Sequence, residues 1–191
     1  MDLASVSPNL IIDDTGQGPG GVAAIFIRGI GAADVEKNFD PAVGVVVDGI
    51  FLGATAGSLL RSIDLASIEV LRGPQGTLFG RNTIGGLINV SRTQPTGELG
   101  GKVRVGIEDY DTYYVDGILN FGITDSLAAK VSVAKRDQDE GYYDNITTGE
   151  SGRGANDYQS YGINLLWDAS DNLEFEFTYQ DEETDQDTPE L

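Results

Sequence analysis

Residues 68–90 read IEVLRGPQGTLFGRNTIGGLINV, and this stretch decides the fold of the first half of the chain. A β-type run ends at Arg72-Gly73-Pro74, a compact loop punctuated by glycine follows, and a second β-type run covers Leu87 to Val90. Glycine allows positive φ angles and close backbone approach, and proline fixes a turn. No residue in the stretch is a plausible nucleophile, metal ligand or acid/base partner. It therefore specifies backbone shape, with Arg72 expected to be buried, and this favours a fitted structural unit over an active site.

The composition excludes several classes of function. The chain has 191 residues, of which 40% are hydrophobic, so a core is possible, and 26 glycines predict many turns and few long helices. Cysteine and histidine are both absent from the sequence, which excludes disulfides, thiolate metal sites and histidine-based triads. No signal peptide and no apolar run long enough for a transmembrane helix is recognisable. Neither an enzyme nor a bound cofactor is expected.

The net charge of −19 is distributed unevenly. Residues 1–97 contain nine acidic and six basic side chains, whereas residues 98–191 contain 22 acidic and six basic ones. This asymmetry indicates two regions with different surroundings. Nucleic acid is not expected as a partner, because phosphate contacts need a basic surface.

The first half has the pattern of a small α+β unit. Its apolar runs, Ala24 to Ile27 and Val43 to Val47, are short and nearly continuous, as in strands covered on both faces of a mixed sheet. Brief helices are predicted at Leu3 to Val6 and at Ser58 to Ile63. The GxGxxG pattern at residues 16–21 lacks a strand–turn–helix context, so it does not indicate a dinucleotide site.

From residue 101 onwards the apolar residues recur with period two. Five strands are predicted, at Lys102–Ile107, Tyr113–Ile123, Leu127–Arg136, Tyr158–Trp167 and Leu173–Asp181. After the first loop their connections run short, long and short, and strands of about ten residues match those of transmembrane barrels. Aromatic residues near the strand ends also favour a barrel. On periodicity alone, a soluble antiparallel sheet fits as well.

Four sequence blocks together resemble the plug domain of TonB-dependent outer-membrane receptors. They are FIRG at 26–29, VGVVVDG at 43–49, IEVLRGPQGTLFG at 68–80 and GGLINV at 85–90, in the order and spacing of that family. The resemblance implies an α+β plug domain with a mixed sheet over residues 1–97, with its N-terminal part missing. Residues 98–191 are then the first five or so of the 22 strands of an antiparallel transmembrane β-barrel, which remains incomplete.

The resemblance implies a receptor in the outer membrane of a Gram-negative bacterium, surrounded by outer-membrane lipid. Such a receptor takes up a scarce, large nutrient, such as a ferric siderophore, haem, cobalamin or an oligosaccharide, and its plug gates the barrel lumen. TonB, with ExbB and ExbD in the inner membrane, supplies the energy through a TonB box that is expected outside this sequence. The alternative is a soluble or surface β-rich binding protein that does not transport and retains a plug-like sequence.

The resemblance also assigns roles to individual residues. Arg28 and Arg72 match arginines that anchor the plug to acidic residues of the barrel wall, although local pairing is the alternative. Plug apices that contact the ligand are expected at Asn38, Phe51, Leu52, Phe79, Arg81 and Asn82. Phe79 is the best single candidate, with core packing as its alternative. Structural turns are expected at Gly29, Gly49, Gly73, Pro74, Gly76, Gly80, Gly85 and Gly86.

Residues 181–190 contain six carboxylates, but the glycine-containing EF-hand pattern is absent. We therefore expect a solvated outer loop there and no metal site.

Overall fold

The computed structural model describes residues 7–13, 24–32, 40–52, 64–141, 146–147, 149 and 154–186. The chain divides into two compact units, Met1–Arg92 and Thr93–Leu191, and this division falls a few residues before the predicted domain boundary. The predicted helices at 3–6 and 58–63, and the predicted ligand contact at Asn38, lie outside the described residues. Among the described residues, no helix has the length and apolar character needed to span a bilayer.

The described part of the chain contains twelve strands and one short helix. The strands in chain order are β1 (Leu10–Asp13), β2 (Ala24–Ile27), β3 (Ile30–Gly31), β4 (Val43–Val47), β5 (Ile50–Phe51), β6 (Leu65–Arg72), β7 (Gly86–Arg92), β8 (Gly100–Glu108), β9 (Thr112–Thr124), β10 (Leu127–Gln138), β11 (Asn156–Ser170) and β12 (Leu173–Gln186). The helix, α1 (Gly76–Phe79), lies between β6 and β7.

The described strands of the first unit form two sheets. Strands β1, β2 and β3 form an antiparallel sheet, and the second sheet has the order β5-β4-β7-β6. Strand β4 runs parallel to β7, whereas β5 and β6 are antiparallel to their neighbours, so the predicted mixed sheet is confirmed. Ile27 on β2, Val45 on β4 and Ile88 on β7 belong to one buried cluster. The nearly continuous apolar runs are therefore strands that are covered on both faces.

The described residues of the first unit form two hairpins with the same turn geometry. Strands β2 and β3 are joined by Arg28-Gly29, with φ angles of 53° and 79°, and β4 and β5 by Asp48-Gly49, with 48° and 80°. Two successive positive φ angles define the type I′ turn, whose twist matches that of antiparallel strands. Glycine at the second position lowers the conformational cost of each turn.

The loop after β6 is more ordered than the sequence predicts. Residues 76–79 form α1, a single helical turn in which the Phe79 amide donates to the Gln75 carbonyl oxygen at 3.0 Å. A turn of four residues is too short for helical periodicity to appear in the sequence. Gly86 has a φ of 149°, and a Cβ there would collide with the carbonyl oxygen of Leu71 on the paired strand. Close strand approach therefore requires glycine at this position.

The second unit is a five-stranded antiparallel sheet in the order β12-β11-β10-β9-β8. All five predicted strands are present, and each extends beyond its predicted bounds. The predicted outer loop at 181–190 is wrong for residues 181–186, which continue β12 and pair with β11 as far as Asn156 opposite Gln186. The acidic side chains here are exposed and remain in contact with water, so backbone pairing with β11 is not opposed by burial of charge.

The two faces of this sheet differ in polarity. One face carries apolar side chains that remain largely exposed, for example Val105 at 70% and Phe177 at 56%. The opposite face carries Arg104, Asp116 and Asn164 among other polar groups. The apolar face ends where β10 and β12 continue into Lys135 and Glu183. A band of exposed apolar residues that gives way to charge along the strands is the pattern of a lipid-facing surface.

Candidate functional site

The turn between β6 and β7 forms the apex of the mixed sheet and is closed by backbone hydrogen bonds. The Gly73 amide donates to the Gly85 carbonyl oxygen at 3.1 Å, and the Gln75 amide donates to that of Thr83 at 3.0 Å. Thr83 is buried, and its hydroxyl donates to the Gly80 carbonyl oxygen at 2.9 Å. These contacts fix the segment from residue 73 to residue 85 as one rigid projection, which we call the apical turn.

Asp40 joins the apical turn to the segment that precedes β4. The Asn82 side-chain amide donates to Asp40 Oδ1 at 2.9 Å, and Arg81 Nη1 lies 4.0 Å from Asp40 Oδ2. Sequence reasoning placed Arg81 and Asn82 at the apex but missed Asp40. The three residues form a polar group whose parts are about 40 positions apart in sequence, so no local pattern could reveal it.

The predicted apical residues differ in exposure. Leu78, which begins the loop expected to face outward at residues 78–83, is 81% exposed, whereas Phe79 is half-buried. Phe51 is half-buried, and its ring lies where a Cβ on Gly44 would be. Leu52 packs against the hydrophobic core. Leu78 is therefore the most exposed apolar contact that the apical turn offers.

The predicted turn residues adopt several geometries. Positive φ angles occur at Gly29, Gly49, Gly73, Gly80 and Gly86. Gly76 begins α1 and has open space around it, while a Cβ at Gly85 would approach the Ile30 carbonyl oxygen at 2.9 Å. Pro74 lies between β6 and α1.

Neither predicted anchoring arginine is buried. Arg28 occupies the β2–β3 turn with an exposed side chain, and among the described residues that side chain has no partner. Arg72 ends the edge strand β6 and is exposed, so the expectation that it is buried is wrong. Its Nη2 donates to the Ser7 hydroxyl at 3.1 Å, a contact within the first unit. An edge strand leaves a long side chain free to reach solvent.

The first unit contains an ion pair that is shorter than the one between Arg81 and Asp40 and that the sequence did not predict. Arg92, the last residue of β7, donates from Nε to Asp48 Oδ2 at 2.5 Å and from its amide to Asp48 Oδ1 at 2.8 Å. Both side chains are at least three-quarters buried. The β4–β5 turn is thereby tied to the end of β7 by two charge-assisted bonds.

Among the described residues, three cations on the polar face of the second unit have defined contacts. Arg104 donates to Asp116 from Nε at 2.8 Å and from Nη2 at 2.5 Å. Arg136 Nη1 lies 2.9 Å from Glu108 Oε2. Lys130 is fully buried and its Nζ donates to the carbonyl oxygen of Thr93. Over the described ranges, no three acidic side chains are grouped in a way that could hold a metal ion.

Comparisons with known proteins agree with this arrangement. The family model for the TonB-dependent receptor plug domain matches residues 1–87. The pesticin receptor of Yersinia pestis is 33% identical over 152 residues, which are 80% of this chain and 22% of that protein. The crystal structure of the ferric yersiniabactin uptake receptor FyuA from Yersinia pestis superposes with a TM-score of 0.81 at 31% identity. The match covers 94% of this chain and 28% of FyuA.

The pyoverdine outer-membrane receptor FpvA from Pseudomonas aeruginosa, bound to pyoverdine, has a TM-score of 0.71 at 18% identity. The match covers 94% of this chain and 24% of that receptor. Because the identity is only 18%, this likeness supports the fold alone.

The chain belongs to the TonB-dependent receptors of the Gram-negative outer membrane. It provides the plug domain with its mixed sheet, followed by antiparallel strands that do not close into a barrel within the described residues. This family transports rather than catalyses. The chain spans about a fifth of the length of the curated relatives that it matches.

Proposed function

We propose that the receptor containing this chain takes up a large, scarce nutrient across the outer membrane, and that the nutrient is a ferric siderophore. The observation that carries the proposal is the combination, in one chain, of a rigid apical turn with a sheet whose apolar face is exposed. Together they supply a capture surface and a lipid-facing wall. A relative with 31% identity over nearly the whole chain is named as a ferric yersiniabactin uptake receptor, which favours an iron chelate over the other nutrients.

The apical turn is the surface that we assign to ligand capture. Leu78 and Arg81 project from it, and Asp40 and Asn82 provide hydrogen-bonding groups beside them. Exposed apolar and charged groups on a rigid support bind a ligand without a large ordering cost. The remaining predicted contacts, Asn38, Phe51, Leu52 and Phe79, stay predictions.

Energy for uptake would come from TonB, acting with ExbB and ExbD, and the plug would gate the lumen. A soluble binding protein is disfavoured, because Val105, Phe177 and their neighbours expose an apolar face too extensive for a protein dissolved in water.

Growth of iron-starved cells tests this function. The full-length receptor is expressed in a Gram-negative strain that lacks its own receptor for ferric yersiniabactin, and that chelate is supplied as the only iron source. We expect growth with the receptor and none when the gene for TonB is also deleted. A second culture receives ferripyoverdine in place of ferric yersiniabactin. Growth that does not depend on TonB, or the absence of growth on both chelates, would contradict the proposal.

A further inference from the structure

Lys130 is fully buried in a sheet whose side chains are mostly half-buried or exposed. It lies on the polar face, because the strand register places it directly opposite Asn164 on β11. Lysine is almost never fully buried unless its ammonium group has a partner. Its Nζ donates to the carbonyl oxygen of Thr93 and lies 3.4 Å from the Thr93 hydroxyl oxygen. Thr93 begins residues 93–99, the connection between β7 and β8 that we call the linker.

A second contact fits the linker backbone to the same face. Ala128 lies two residues before Lys130 on β10 and directly opposite Gly122 on β9, so two small residues form a shallow groove. A Cβ on Gly122 would lie 2.6 Å from the Gly97 carbonyl oxygen, which shows how closely the linker approaches β9. A Cβ on Gly97 would lie 3.8 Å from that of Ala128. The linker is thus attached to β9 and β10 at residues 93 and 97.

A cavity separates part of the linker from the sheet. Pro95 and Leu99 of the linker line it on one side, and Leu127 and Leu166 are among the residues that line it from the sheet. Space between two segments removes the dispersion contacts that would otherwise hold them together. The attachment of the linker therefore depends on the bond of Lys130 and on the close approach at residue 97.

The position of this bond along the chain gives it a mechanical consequence. Thr93 is the first residue after β7, which ends at Arg92. A pull on β7 is transmitted along the backbone to the next fixed point of the chain. Without the bond to Lys130, the pull would reach the start of β8, where Gly100 pairs with Asn120. The bond passes it instead to β10, a strand that is paired on both sides.

We propose that Lys130 is a positioning residue for uptake, which holds the linker on the polar face of the sheet. The end of β7 then stays in place while other parts of the plug move to admit the nutrient. A charge-assisted hydrogen bond suits this role, because it is stronger than a bond between neutral groups. The proposal rests on the proposed function for the movement of the plug, and it adds the point in the chain at which that movement ends.

Hydrogen exchange of the linker amides in the purified full-length receptor tests the attachment. Lys130→Met keeps an unbranched side chain of similar length and removes the donor. Exchange in the peptide that contains residues 93–99 should become about tenfold faster or more, because a charge-assisted bond that limits local opening is lost. Lys102→Met is the matched control, since Lys102 lies on the same face, two residues before Arg104, and is exposed. It should leave the exchange of the linker unchanged.

A disulfide between the linker and β10 tests whether the linker has to move. The separation of 3.8 Å between the two Cβ positions suits a disulfide that joins Gly97→Cys to Ala128→Cys, and these 191 residues contain no cysteine of their own. With Lys130 intact, the oxidised and the reduced double variant should import an iron chelate equally well. Gly97 has a φ of 73°, so comparison with the reduced form corrects for strain from cysteine at this position.

The same disulfide should rescue the loss of Lys130. Dye entry into cells should rise in Lys130→Met, because the linker no longer holds the end of β7 in place. Oxidation of the double cysteine variant in the Lys130→Met background should return dye entry to the wild-type level, and a reductant should raise it again. A disulfide at a different position replaces the attachment but not the lysine, so rescue separates positioning from a general effect on folding. Folding of each variant is checked by the heat-modifiable migration of the receptor on gels.

Three results would overturn the proposal: unchanged linker exchange or dye entry in Lys130→Met, an equal acceleration of exchange in Lys102→Met, or uptake that the oxidised disulfide blocks and reduction restores. Exchange and dye entry require neither TonB nor a chelate, so both measurements are independent of the growth test. A receptor whose linker depends on Lys130 but that imports neither chelate would contradict the proposed function and leave the attachment standing.

Discussion

At the scale of single residues, the most informative contact is the ion pair between Asp48 and Arg92. It joins the turn after β4 to the last residue of β7, so it links residues that are 44 positions apart. Its two bonds are short and the side chains are mostly buried, and hydrogen bonds to charged groups contribute about 1.5–3 kcal/mol under such conditions. The pair therefore ranks above the single hydrogen bond of Arg72 to Ser7 as a source of stability in the first unit.

A double-mutant cycle of Asp48→Asn and Arg92→Gln in the full-length receptor measures this pair. Asparagine tolerates positive φ, so the turn itself is retained. We expect a coupling of about 1–2 kcal/mol in the opening free energy of the β4 and β7 amides, measured by hydrogen exchange. Simple additivity of the two single variants would show that the pair contributes nothing. Arg81→Gln serves as the control, because its side chain is 76% exposed and lies 4.0 Å from Asp40.

One glycine within the apical turn and one directly after it should respond in opposite ways to alanine. Gly86→Ala forces a Cβ against the Leu71 carbonyl oxygen at a φ of 149°, and such strain costs on the order of 1–3 kcal/mol or more. Gly76→Ala meets open space in α1 and should be neutral or slightly stabilising. Protease sensitivity of the receptor, measured for both variants, checks the contrast. Equal sensitivity would mean that the close approach at Gly86 is relieved by strand movement.

At the scale of elements, the five-stranded sheet is defined by the difference between its faces. In the sequence, the period-two pattern of these strands fits a soluble sheet equally well. Alternation alone does not show which face of the sheet is in contact with water. The register settles the composition of each face, and the exposure of Val105, Phe177 and Trp167 shows that nothing in the described sheet covers the apolar one.

Adjacent residues on β12 test the assignment of the faces. Phe177→Lys places a charge on the apolar face and should cost about 2–4 kcal/mol if that face contacts lipid. Glu176→Lys, one residue earlier on the polar face, changes the net charge more and should be tolerated. The folded fraction in outer-membrane preparations, read from heat-modifiable migration, distinguishes the two. Similar losses in both variants would contradict the lipid-facing assignment.

At the scale of the whole molecule, anchoring of the plug through Arg28 and Arg72 remains a prediction. Arg72 has a partner within its own unit, the Ser7 hydroxyl, which is the local pairing that competes with anchoring. A hydroxyl does not neutralise a guanidinium, so the charge of Arg72 is available to a carboxylate.

Removal of that charge tests the anchor. In the full-length receptor, Arg72→Ala should loosen the plug and increase leakage of small solutes into cells, whereas Ser7→Ala removes only the local bond and should not. Antibiotic susceptibility and dye entry measure the leakage. Unchanged leakage in Arg72→Ala, or the same increase in Ser7→Ala, would argue that Arg72 serves the plug fold alone.

Much of the architecture is determined by the sequence itself. Continuous apolar runs specify β4 and the core of β7, alternation specifies β8 to β12, and the order of the glycine-rich blocks specifies the plug, because these features depend on neighbours along the chain. The limits of that reasoning are visible at residues 181–186, where charge suggested a loop but pairing with β11 continues the strand.

The tertiary structure alone decided the contacts between distant residues. Asp40 with Asn82, Asp48 with Arg92, and Glu108 with Arg136 each depend on turns and register that bring separate segments together. A local pattern records the periodicity of one strand but not the identity of its neighbour, because pairing is fixed by hydrogen bonds between strands. The glycine-rich stretch at residues 68–90 thus identifies the fold from the sequence. The groups proposed to contact a ligand come together only in the folded structure.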